Sequence, residues 1–171
     1  MKKLIFFILL LWSFTTEAQN EFAATAFYTE LNKIFDDARQ GFLLNKGSIR
    51  ESENPGLVTE YKVTFLLPLA DSGKISVPEK GDPYVVYYFE PEKIRLKTDQ
   101  RGANLRDAIL SSLNQALYAI TETTLVDEKP LTNTWYFTND KETRHNAALF
   151  QISIYYQSGK YYLSLLIRGN K

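Results

Sequence analysis

The chain has 171 residues, with 20 lysines and arginines against 20 aspartates and glutamates, 44% hydrophobic and 14% aromatic residues, no cysteine and one histidine. A formal charge of zero with both signs dispersed supplies no pull toward phosphate backbones, so nucleic acid is not an expected partner. The absence of thiols excludes disulfides, thiolate nucleophiles and cysteine-ligated metal centres.

Lys2 and Lys3 precede an apolar run from Leu4 to Trp12 and the more polar Ser13 to Ala18, the order of a secretory signal peptide. The run falls short of the ~18–20 apolar residues that span a bilayer, and Thr16 and Ala18 supply small side chains for cleavage before Gln19. Residues 1–18 are therefore expected to be a signal peptide and 19–171 a single globular domain, exported to the periplasm or secreted, with no stable membrane insertion after cleavage. No Asn-x-Ser/Thr acceptor for N-glycosylation occurs.

From Phe22 to Phe42 the positions Phe27, Leu31, Ile34, Phe35, Ala38 and Phe42 form the apolar stripe of an amphipathic helix, with Glu30, Lys33, Asp37 and Arg39 on the polar face. Gly41 and then Asn45-Lys46-Gly47 place its end between residues 40 and 46. Leu57 to Leu67 alternates apolar and polar residues as a strand stopped by Pro68, and a short strand is expected around Lys74–Val77. The run Tyr84–Glu90 between Pro83 and Pro91 is a further strand, and Ile94 and Leu96 among Lys93, Arg95 and Lys97 suggest a charged edge strand.

A second helix is expected from about Ala103 to Ile120, capped by Asn104, with Thr121–Thr124 opposing its continuation. Asn133–Asn139 reads as a strand. The C-terminal segment gives a hairpin that its own register tests. With Ser158-Gly159 as the turn, Phe150 meets Ile167, Ile152 meets Leu165, Ile154 meets Leu163 and Tyr156 meets Tyr161 on one face. Tyr155 meets Tyr162 on the wetter face, and a slip of one residue destroys this separation.

The expected class is α+β, an antiparallel sheet with two helices packed on one face, in the order α-β-β(-β)-α-β-β-β. That order suggests an αβββ unit written twice, although no residue-level repeat supports it. At this coarse level the order is similar to cystatin-like domains and to small periplasmic inhibitor or assembly-factor modules, and no diagnostic motif of such a family is present.

Asp140, Glu142 and His145 are the one grouping with metal-ligand character, but a second histidine is lacking and a solvated hairpin tip accounts for them. No serine stands in a nucleophile-elbow setting, and no phosphate-binding glycine loop occurs. The paired carboxylates Asp36-Asp37 and Asp127-Glu128 read as solvated charge, and the basic residues Lys93, Arg95, Lys97, Arg101 and Arg106 as edge protection. The chain is accordingly read as non-enzymatic, with no catalytic residue, no cofactor and no metal.

Tyrosine is the compositional departure that points to function. Alternation places Tyr155 and Tyr162, with Tyr136, away from the core, where rigid amphipathic rings suit recognition of a protein. The reading is an exported binding domain for another envelope or secreted protein, of unidentified specific role. The alternative is a carrier holding an apolar or carbohydrate ligand between helices and sheet. Segments 46–56, 71–83 and 138–146 are the loops expected to carry contacts.

Overall fold

A computed structural model describes residues 20–51, 56–113, 117–126, 129–138 and 148–170. The expected signal segment and the grouping of Asp140, Glu142 and His145 lie outside the described residues, as does Asp127-Glu128. Two helices and eight strands follow one another as α1 (Thr25–Ala38), β1 (Lys46–Arg50), β2 (Val58–Val63), β3 (Ala70–Pro78), β4 (Tyr84–Glu92), α2 (Arg95–Ser112), β5 (Tyr118–Val126), β6 (Lys129–Thr138), β7 (Phe150–Gln157) and β8 (Lys160–Arg168). All strands join one antiparallel sheet in the order β1-β2-β3-β4-β8-β7-β6-β5.

The class is α+β with an antiparallel sheet, as the sequence predicts. Each half is a helix followed by four strands, and the halves join through the antiparallel pair β4 and β8. Reading the strand order backwards exchanges each strand with its counterpart, so the halves are related by an approximate two-fold running through that pair. The expected αβββ unit thus gains a strand in each half.

One face of the sheet and both helices share a single core. Leu31, Ile34 and Phe35 of α1, Leu105, Ala108 and Ile109 of α2, and Ile75, Val85, Phe89, Ile152, Leu163, Leu165 and Ile167 of the strands form one buried cluster. Phe22, ahead of α1, is fully buried, with its ring edge-on to Phe27 at 5.3 Å and to Phe89 at 5.5 Å. Each such side chain withdraws apolar area worth about 1.5–3 kcal/mol, which is what holds the two layers together. Gly102 lets α2 settle onto the sheet, because a β-carbon there would lie 2.8 Å from Ile154 Cδ1 and 3.1 Å from Trp135.

The C-terminal hairpin has the expected register in every pair from Phe150 with Ile167 to Gln157 with Lys160. Its turn residues Ser158 and Gly159 both have positive φ, 49° and 80°, the backbone of the tight turn whose twist matches the strands.

Six expectations are corrected. Helix α1 ends at Ala38, short of residue 40, because the Asp37 carbonyl accepts from the Gln40 and Phe42 amides and turns the chain, Gly41 taking φ 68°. Residues 46–50, read as a stop and loop, form β1, and most of the expected loop 71–83 belongs to β3. Helix α2 starts at Arg95, so Ile94 and Leu96 are no edge strand and Asn104 is no cap but accepts from Gln100 one turn before it. The same helix stops at Ser112, and residues 118–126, read as the end of the helix and its breaker, form β5. Local spacing carried the apolar pattern Leu113, Leu117, Ile120 across a real boundary, while the threonines acted on their strand preference.

Candidate functional site

The sheet face away from the helices divides by chemistry. On the β1–β3 side it is charged: Glu60, nearly buried, pairs with Lys74 at 2.7 Å and with Arg50 at 3.7 Å. On the β8–β5 side a hydroxyl and amide patch occupies the middle of the face, with Lys160 and Arg168 towards the two ends of β8 and Glu122 on β5 as the charges around it. Thr134 and Ser153 share a hydrogen bond of 3.3 Å across β6 and β7, Gln151 donates to Ser153 at 3.1 Å, and Ser153 stands opposite Ser164 of β8. Hydroxyl-to-hydroxyl pairing of this kind satisfies the patch without fixed charge.

At the hairpin end of this half, Tyr155 and Tyr162 stack with ring centroids 5.3 Å apart and planes 11° from parallel. Both are half-buried, as is Tyr88, which lies on the neighbouring strand β4 opposite Ser164. Burial, together with the neighbouring phenols of Tyr88 and Tyr162, holds the Tyr155 hydroxyl above its ordinary range. The Tyr155 hydroxyl therefore stays protonated and presents a hydrogen-bonding group rather than a charge.

Tyr136 shares this face but not this cluster. It pairs with Ile120 and Gln151, four residues along β6 from Thr132, the residue opposite Tyr155, a distance of roughly 13 Å at the rise of a strand. Burial first, then the charge and hydrogen bond of Glu122, raises its hydroxyl as well. The expected trio is thus a pair plus a separate residue, and Tyr88 takes the third place. The alternation of Tyr84, Val86 and Tyr88 in β4 was the signal that identifies it. On the opposite face Tyr156 and Tyr161 meet at 4.9 Å, so the hairpin tip carries two tyrosines on each side.

At another end of the molecule a buried polar network shapes an apolar surface. The Asp37 carboxylate accepts from the backbone N–H groups of Leu44 and Asn45, both at 2.9 Å. Asn45 in turn donates to the Tyr87 hydroxyl at 2.8 Å and accepts from the amides of Thr64 and Phe65 at 2.9 and 3.0 Å. Asp37, expected on a solvated helix face, is only 1% exposed and acts as an internal staple. The staple turns Leu43 and Leu44 outward at 68% and 66% exposure, beside the β2–β3 turn with its exposed Leu66 and Leu69. Phe42 and Leu69 have φ of 63° and 69°, a conformation that costs a bulky residue about 1–2 kcal/mol.

The basic residues read as edge protection lie instead on α2 or just before it. Arg95 pairs with Asp99 at 3.3 Å, Arg106 with Asp107 at 2.8 Å, and Arg101 with Glu21 at 2.7 Å, Arg101 also donating to the Glu90 carbonyl. A hollow of about 400 Å³ around Arg101, lined also by Glu90, Glu92, Lys97, Gln100 and Asn104, is open and mixed in charge. Among the described residues no group of three or more His, Asp or Glu gathers as a metal site, and no helix is long and apolar enough to cross a membrane.

These features define a class: a two-layer domain of paired αββββ halves, with one sheet face covered by helices and the other, among the described residues, bare. Compared with protein-family models, curated proteins and solved structures, the chain matches none.

Proposed function

We propose that the protein is an exported, non-enzymatic binding module that recognises another envelope or secreted protein through the helix-free sheet face, centred on Tyr155, Tyr162 and Tyr88. The observation that carries this reading is the stacked, half-buried pair Tyr155 and Tyr162 beside a Ser/Thr/Gln patch. Tyrosine set among small hydroxyl residues is the composition of surfaces that bind proteins, because each ring offers large contact area while freezing few torsions. Export rests on the order of charge, apolar run and small residues over 1–18. The carrier alternative receives less support, since phenylalanine rings occupy the space between helices and sheet, Phe35 stacking on Phe150 at 5.3 Å.

A second reading is favoured by the exposed Leu43, Leu44, Leu66 and Leu69, with Leu69 held in a strained backbone: the interface lies at that end instead. One experiment separates the two. A partner is isolated from the envelope or secreted fraction on the immobilised protein, identified, and its affinity measured against two double variants. Tyr155→Ala/Tyr162→Ala is expected to weaken binding at least tenfold, with an unchanged circular dichroism spectrum, while Leu43→Ser/Leu44→Ser leaves it intact. The opposite pattern moves the interface to the leucine end, and turnover of any substrate at either site ends the binding-module reading.

A further inference from the structure

The two edges of the sheet are treated differently, and the contrast identifies an assembly surface. Edge strand β1 is blunted in three ways. It has five residues, carries Lys46 and Arg50 at its ends, and loses its register against β2 between Lys46 and Ile49. Short length, cations and a bulge are the devices by which edge strands refuse a neighbour. Edge strand β5 is longer and less protected, its one charge being Glu122 and its one register shift falling between Thr124 and Leu125. It runs for nine residues, keeps unbroken register with β6 from Tyr118 through Thr124, and contains no lysine, arginine or proline. Thr121, Glu122 and Thr123 are exposed along it.

We propose that two copies of the protein associate by pairing their β5 strands antiparallel, about a two-fold axis that passes through Thr121 and stands normal to the sheet. Such an axis keeps each face of the sheet on its own side, so facing residues must have the same orientation in both copies. Thr121 then faces the second copy's Thr121, and Ile120 faces its Glu122. This register spans the whole unbroken stretch Tyr118–Thr124 and brings no like charges directly opposite one another. A register centred on Glu122 would oppose two carboxylates, which is unfavourable. Pairing about such an axis requires only a second copy of the chain, and the opposed carboxylates of the alternative register place Thr121 rather than Glu122 on the axis. Strand β5, last in the strand order, gains a second neighbouring strand, and the two helix-free faces become one continuous surface with the tyrosine cluster present twice.

The test is the mass of the purified protein in solution, by sedimentation equilibrium or light scattering at about 50 µM, where weak dimers become populated by mass action. The wild-type protein is expected to have twice the monomer mass. Thr121→Lys and Thr121→Glu each place like charges face to face at the axis, and each is expected to be monomeric, with an unchanged circular dichroism spectrum and a melting temperature that does not rise with protein concentration as that of the wild type does. An equimolar mixture of the two variants is expected to recover the dimer, since lysine then faces glutamate. A monomeric wild-type protein, a dimer that persists in either variant alone, or a mixture that stays monomeric each overturns the proposal. Tyr155→Ala/Tyr162→Ala is expected to remain dimeric, so loss of partner binding and loss of assembly are distinguishable.

Discussion

Tyr87 shows how one side chain ties the strained end of the molecule to the core. Its ring is fully buried in β4, and its hydroxyl accepts from Asn45, which also holds the β2–β3 turn. Burial, with added repulsion from Asp37 and Glu30, raises the phenol well above its ordinary value of 10.0. The folded protein therefore keeps Tyr87 neutral where the unfolded chain would ionise it. The resulting stabilisation is complete below about pH 10 and is lost above it, by up to ~1.4 kcal/mol per pH unit. Tyr87→Phe is expected to cost about 1–2 kcal/mol at neutral pH, because the Asn45 amide loses its acceptor, and to flatten the decline in stability between about pH 10 and 11. Urea unfolding of both proteins across that range measures the two effects, and parallel pH curves would refute the assignment. At this scale the sequence was misleading about Asp37. Its neighbour Asp36 and its position on the helix suggested solvated charge, whereas two backbone amides arriving from the following loop give it a buried role.

Among the elements, the turn between β2 and β3 is the one built against local preference. Leu69 adopts φ 69° with 46% of its surface exposed, so little packing offsets the backbone strain. Leu69→Asn is expected to raise stability by about 1 kcal/mol, since asparagine tolerates the left-handed region, with no change in the denaturant slope. A loss of stability would mean that the leucine is held by packing after all. Strands and hairpins with alternating patterns were the most legible elements. The register of β7 and β8 follows from matching apolar positions across a Ser-Gly turn, and each pair falls where that matching puts it. Helix α2 was less legible, because its first turns carry charge rather than an apolar stripe. The four-residue spacings of Arg95 with Asp99 and of Gln100 with Asn104 were the available signal, and both are realised as contacts.

For the molecule as a whole, the central pair β4 and β8 joins two halves of identical element order, and the outermost strands β1 and β5 bear the fewest neighbours. In the Thr121→Lys variant, amide hydrogen exchange is expected to be fastest in β1 and β5 and slowest in β4 and β8. In the wild-type protein β5 is expected to join the slow group while β1 does not. Equal exchange from both edges in wild type would contradict pairing through β5. Tyr155 and Tyr162 belonged to the legible part of the proposed binding surface, because alternation alone sets them opposite one another and away from the core. Tyr88 entered the cluster only through the junction of the halves, which brings residues distant in sequence onto adjacent strands.

The amino-acid order by itself determined the α+β class, the apolar stripe of α1 and the C-terminal hairpin, since each arises from side chains a few residues apart that must share one face. Tertiary structure decided the bounds of α2, the existence of β1 and β5, the burial of Asp37 and the gathering of the hydroxyl patch and tyrosine cluster on the helix-free face. Those outcomes depend on which strand lies beside which, and that is set by burying one common core beneath both helices, a condition no local window of sequence contains.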